Sequence, residues 1–378
     1  MRLENLLWRL QQLRLKIFPA VLVVVFMLSS SAYADSIYDS EPTFSPYYAG
    51  SVKSAVLNEA LQELNYIRWL IGVPNNVTLN AEYTRKAQHG AVLLDAVGTL
   101  THTPSRPSDM SQSFYELGYD ATTHSNLSWG SSEMTLKLST KLCMHDSDSS
   151  NISRLGHRRW LMNPRLKQTG FGISTRGGFA ATYVIEEFEH SGEGNTLTQE
   201  EYERYLEWLK WPVSDEFITW PTGRHPHPLT YFEADTAWSV TLNRDVFDDT
   251  DASSVKVVLT RNSDGRTWKF SRSSSDGYFA VSKGEVAYDQ CIIFRPDGIT
   301  SYNNGETWSV EVSGLARKDG GTGSISYRVT FTGETTGYEE DTPYNRQGSE
   351  DSDEGGCGVM TFPAFMALLV FGIPRIRK

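Results

Sequence analysis

The hydrophobic period of this sequence changes after residue 170, and that change limits what the chain can fold into. In the first half, apolar residues recur every three to four positions. Beyond Gly170, except for a short helical stretch at 199–210, they alternate with polar ones. A helix places side chains at 3.6 residues per turn and a strand at two per repeat, so one regular structure cannot serve both halves. The pattern calls for an α+β protein in which a helix-rich region precedes an all-β one. At 378 residues, with 39% hydrophobic and 12% aromatic content, the chain is large enough to bury a core in each.

The helical pattern can be followed in detail. Val56, Leu57, Ala60, Leu61, Leu64, Ile67 and Leu70 mark one amphipathic helix that stops before Gly72 and Pro74. Asn80 can cap a second, with Tyr83, Ala87, Ala91 and Leu94 on one face. A third is expected to start near Ser131 or Ser132 and to run through Met134, Leu136 and Leu138 toward Met144. Residues 170–174 and 179–185 read as two strands joined at Arg176-Gly-Gly178, so a small antiparallel sheet covered by helices is expected over 51–190. A polar break and a Pro-rich bridge ending Arg224-His-Pro-His-Pro228 make 191–228 a linker with one short helix. Strands are then expected at 238–242, 255–259, 268–270, 291–294, 308–312 and 325–331, with Asp264-Gly265 as a hairpin turn. Their natural closure is a β-sandwich over 229–333. Trp238, Trp268 and Trp308 fall on alternating strand positions, which suits a core better than a sugar-stacking surface.

Both ends read as addresses. A basic stretch, the apolar run Phe18–Leu28 and Ala32-x-Ala34 form a signal peptide over 1–34, with cleavage expected after Ala34. An acidic spacer over 334–355 leads to Gly355-Gly-Cys-Gly358, an apolar stretch and the basic end Arg375-Ile-Arg-Lys378. That order over 356–378 resembles bacterial C-terminal sorting tails, which a membrane protease clips near the Gly-Cys; a plain membrane anchor is the other reading. Either one gives export, with the protein at the cell surface or secreted after tail processing. The net charge of −11 argues against nucleic acid, whose binding needs clustered Lys and Arg. Apart from Cys357 in the tail, the cysteines are Cys143 and Cys291, open to a bridge or to two buried thiols.

The standard catalytic motifs are missing: there is no His-Glu-x-x-His, no phosphate loop and no Gly-x-Ser-x-Gly elbow. The informative cluster is Thr101-His102-Thr-Pro104, His124-Ser125-Asn126-Leu-Ser-Trp-Gly130, Met144-His145-Asp146 and Gly156-His157-Arg158-Arg159-Trp160. Its imidazoles sit beside turn-forming residues and suit either one cleft or separate structural hydrogen bonds. Arg158 and Arg159 fit an anionic ligand or ion pairs with an acidic body.

Taken with Asn65-x-x-Arg68 and Leu79-Asn-x-x-Tyr83-x-x-x-Ala87, these segments resemble the CAP superfamily of SCP-like proteins in their order along the chain. The superfamily includes the cysteine-rich secretory, antigen-five and pathogenesis-related group-one proteins, and the bacterial branch is the nearest in style. The resemblance implies an α-β-α sandwich over 51–190, followed here by an Ig-like β-domain. It also implies a cleft of two histidines and two acids that in several members binds zinc. His102 and His157 match the histidines, and Ser125, followed by Asn126, stands where the first acid belongs. Asp146 is the best match for the second acid, with Glu133 the weaker one. The expectation is therefore a non-catalytic envelope binding protein for an extracellular protein, glycan or lipid, with a cleft that holds a small ligand or a metal, zinc being the candidate on His102, His157 and Asp146. The alternatives are a metal-assisted hydrolase and adhesion through the β-domain.

Overall fold

The computed structural model describes residues 36–131, 133–186, 196–226, 231–284, 286–333 and 375–376. The signal peptide and acidic spacer lie outside them, as does the tail apart from Arg375 and Ile376. The chain divides after Asp39, and everything below belongs to the unit that begins at Ser40. Helices and several sheets make it an α+β protein.

The first helix, Ser54–Leu70, buries Leu57, Ala60, Leu64 and Ile67 as the spacing predicts. The second, Ala81–Val97, is capped by the Asn80 side chain, which accepts from the backbone N–H groups of Glu82 and Tyr83. Thr135, rather than Ser131 or Ser132, caps the next predicted helix, which spans Leu136–His145. A further helix, Gln112–His124, was not read from the sequence because Gly118 interrupts its pattern. That glycine is needed for packing: a Cβ there would lie 3.0 Å from the His89 carbonyl and 2.9 Å from the Leu93 side chain. Helices 81–97 and 112–124 therefore lie close together.

The sheet in this region has four strands, in the order Thr78–Leu79, Gln168–Ser174, Phe179–Tyr183, Ser125–Trp129. It is mixed rather than purely antiparallel, because Thr78–Leu79 runs parallel to Gln168–Thr169. Strand Ser125–Trp129, the second element missed in the sequence, turns alternate residues to opposite faces. Leu127 packs with Ala87, Leu94, Phe179 and Ala181 against helix 81–97. Ser128 donates to Ser139 of helix 136–145 at 2.7 Å on the other face. Helices thus cover both faces. Gly172 lets helix 81–97 lie directly on the sheet, since a Cβ there would meet the Ala87 backbone at 2.3 Å.

In the C-terminal half, one sheet orders Phe217–Trp220, Trp238–Leu242, Cys291–Pro296 and Gly277–Ser282. The other orders Arg224–Pro226, Thr322–Thr332, Thr307–Ala316, Lys256–Arg261 and Thr267–Ser271. The Pro-rich stretch read as a bridge thus supplies a strand to each sheet, and Asp264-Gly265 turns the expected hairpin. The sheets meet through aromatic rings: Trp238 stands 6.1 Å from Trp308 and Phe270 stands 5.3 Å from Phe294. Trp238, Trp268 and Trp308 are all buried, so they are core residues. Cys143 and Cys291 are both buried and unbridged.

Candidate functional site

Several arginines of the motif segments are structural pins. The Arg68 guanidinium is fully buried and donates to the carbonyls of Pro74, Leu161, Asn163 and Leu166 at 2.7–3.2 Å. Its neighbour Asn65 pairs twice with the Val77 backbone. Arg158 and Arg159, read as facing an anionic ligand or ion pairs with an acidic body, are buried too. Arg158 donates to the carbonyls of Met144, His145 and Ala237 at 2.6–2.7 Å, binding the helical half to the strand Trp238–Leu242. Arg159 donates to the Ser282 hydroxyl and to the carbonyls of Val286 and Asp289. Arg165 completes this seam through a buried ion pair with Asp289 at 2.7 Å. A guanidinium carries five donors in a fixed fork, so one side chain can close several orphan carbonyls where two halves meet.

With the arginines turned inward, a small cleft remains. It is lined by His102, Ser125, Asn126, Asn151, Arg154, Gly156, His157 and Trp160, together with Thr123 and Ile185. The sequence-predicted residues His102, Ser125, Asn126 and His157 do converge there; Asp146 and Glu133 are not part of the lining. The enclosed space is about 20 Å³, room for one or two small polar atoms rather than for a whole organic ligand.

Asp146 stands behind His157. One carboxylate oxygen accepts from His157 Nδ1 at 2.9 Å, and the other accepts from the backbone N–H groups of His157 and Arg158 at 3.0 and 3.2 Å. The left-handed backbone of Asp146, with φ of 48° at the end of its helix, sets this aim. Burial opposes a charged His157, but the adjacent Asp146 carboxylate outweighs it and raises the imidazole to about 9. Burial likewise disfavours the Asp146 carboxylate, and His157 and Arg158 together still hold it below its ordinary value. His102 is the opposite case. Its Nδ1 lies 2.6 Å from the Thr122 carbonyl, which can only accept, so Nδ1 carries the proton. Burial lowers His102 to about 4 against that hydrogen bond, and the nearby His157 charge adds to the lowering. One imidazole is therefore charged at neutral pH and the other neutral.

Two neighbours finish the site. Asn126 donates to the His157 carbonyl at 2.9 Å, so it braces the histidine from the strand beneath. Ser125 is 3% exposed, and among the described residues its hydroxyl has no hydrogen-bond partner. A buried polar atom left this way costs on the order of 1–3 kcal/mol unless something else completes it.

The donors do not fit a zinc centre on His102, His157 and Asp146. Both Asp146 oxygens are committed to His157 and Arg158, and among the described residues no carboxylate or thiolate lines the cleft, whereas Arg154 does. Two imidazoles alone fall short of the three protein ligands that an open zinc site uses. Among the described residues, the three metal-ligating side chains whose donor atoms lie within 4.8 Å of one another are instead His145, Glu233 and Asp235. Sequence reading passed over this trio because its members stand far apart in the chain. Among the described residues no helix is long and apolar enough to cross a membrane. Comparison of the chain with family models, with curated proteins and with solved structures returns no match.

Proposed function

We propose that this chain is an exported, envelope-associated binding protein whose cleft receives a single anionic group of an extracellular ligand without acting on it chemically. The observation that carries this reading is the buried Ser125 hydroxyl, which among the described residues has no partner and sits in a lining that contains Arg154 and no carboxylate. A carboxylate or phosphate oxygen would accept from Ser125 while facing a cationic rim, and a recess of this size admits one or two such oxygens while the rest of the ligand stays outside. The Asp146–His157 pair adds a charged donor on the same side.

In this reading residues 51–190 form a CAP-like α-β-α sandwich and the C-terminal sheets an Ig-like sandwich. The motif order supports the first, and the helices on both faces of the four-stranded sheet agree with it. Export rests on the signal-like start, and envelope attachment on the sorting-like end. Adhesion through the β-half gains nothing from its tryptophans, since Trp238, Trp268 and Trp308 are buried.

The test is proton NMR of the imidazoles during titration with acetate and with inorganic phosphate. Saturable shifts of the His157 signals, lost in Ser125→Val and weakened in Arg154→Ala, are the expected result. Shifts that do not saturate, or that survive both substitutions, would overturn the reading.

A further inference from the structure

We infer that the seam between the helical and β halves carries a divalent transition-metal site formed by His145, Glu233 and Asp235. The ligating atoms come from two segments about ninety residues apart, yet they lie within 4.8 Å of one another. One imidazole nitrogen and two carboxylates make a three-ligand set suited to zinc or a similar ion, with the remaining positions left to water.

The arrangement around His145 is that of a ligand held ready. Its Nδ1 lies 2.9 Å from the Ser147 hydroxyl, and its Nε2 lies 2.9 Å from an Asp235 carboxylate oxygen. When Nδ1 carries the proton and Ser147 accepts it, Nε2 is left with its lone pair on the side of the two carboxylates. A metal-binding histidine takes this tautomer, fixed by a partner on its other nitrogen. The Nε2–Asp235 hydrogen bond belongs to the other tautomer, in which Nε2 carries the proton and Ser147 donates to Nδ1, so an incoming ion takes the place of that proton as Nδ1 becomes the protonated nitrogen.

Both segments are pinned before any ion arrives. Arg158 donates to the His145 carbonyl on one side and to the Ala237 carbonyl on the other. Arg295 donates to the Asp235 carbonyl at 3.0 Å. The turn that holds the acids is closed by Thr236, whose hydroxyl accepts from the Glu233 N–H and whose N–H donates to the Glu233 carbonyl. The two carboxylates are thereby kept near each other on one turn, where their mutual repulsion favours a cation. The ion would clasp helix 136–145 to the loop leading into strand Trp238–Leu242. This site is separate from the cleft, and its failure would leave the anion-binding reading untouched.

Isothermal calorimetry and thermal unfolding of the chain with Zn²⁺ alone as the probe test the inference. Saturable one-to-one binding with a raised melting temperature is expected. His145→Ala and Asp235→Asn should each weaken it by roughly 100-fold and Ser147→Ala by about tenfold, the scale on which partners of metal ligands act. His102→Ala should leave it unchanged. All these residues lie at the surface or in the cleft rather than in the core, and the melting curve of each metal-free variant reports its folding. Failure to saturate, or binding that survives both His145→Ala and Asp235→Asn, would overturn the site. Binding lost in His102→Ala but kept in His145→Ala would move the metal back to the cleft and overturn it as well.

Discussion

The two halves of this molecule bury different things. The β-half closes on aromatic rings: Trp238, Trp308, Phe232, Phe294 and Phe331 touch one another at 5.7–6.3 Å, and Tyr302 fits among them with its hydroxyl accepting from Trp238 Nε1. The helical half has an apolar layer between helix 81–97 and its sheet. On the other face, however, it buries Arg68, Asn126, Asp146, His157 and Arg158. A ring core is stabilised by contact area and tolerates small shifts. A buried polar lattice holds only while each partner is present, because a charge left alone in low dielectric is costly. The difference teaches where to look for function: in the half whose interior is polar and charged.

The sharpest way to test that contrast is to remove one member from each interior. Asp146→Ala leaves His157 buried without its counter-charge and should lower stability by about 3–5 kcal/mol. Trp238→Ala opens a cavity and should cost about 3–5 kcal/mol. Urea unfolding measures both, and the responses to pH should separate them. The loss in Asp146→Ala should shrink as pH rises above about 9, where His157 gives up its proton in the parent. The Trp238→Ala loss should not change with pH.

A second test is the pH profile of the parent protein. His157 is raised above its unfolded value, so its contribution is complete below about pH 6.5 and is lost as pH climbs through about 9. Asp146 is depressed, so its share is present above its ordinary value and is lost on acidification. His102 is lowered to about 4, so the unfolded chain binds a proton that the folded one refuses, and stability falls as pH drops from 6.5 toward 4. Unfolding midpoints should therefore form a dome with its top near neutral pH. A flat profile between pH 4 and 10 would erase the electrostatic contrast between the halves.

The smallest effect belongs to Ser125→Ala. Removing a hydroxyl that has no partner should leave stability within about 1 kcal/mol of the parent or raise it slightly, while abolishing the response to anions. A large loss of stability would mean that the hydroxyl holds the fold together rather than a ligand.

Much of the architecture was readable before any coordinates. Leu57, Leu64 and Ile67 announced a helix, Asn80 its neighbour's cap, and Trp238 and Trp308 a two-sided core, because each signal lies within a few residues of its cause. Helix 112–124 was hidden by Gly118, which is chosen for the approach of Leu93, and strand 125–129 by its small polar residues. His102, Ser125, Asn126 and His157 were placed together by motif order.

The sequence by itself determined the change of period, the α+β class and the histidines worth watching, since local pattern and chemistry suffice for these. Only the tertiary structure decided that both Asp146 oxygens bond to His157 and Arg158, that Arg158 and Arg159 pin a seam, and that His145 meets Glu233 and Asp235. Those outcomes depend on which orphan carbonyls and charges come to face one another once the halves pack. Residues ninety positions apart leave no periodic trace of that meeting in the chain.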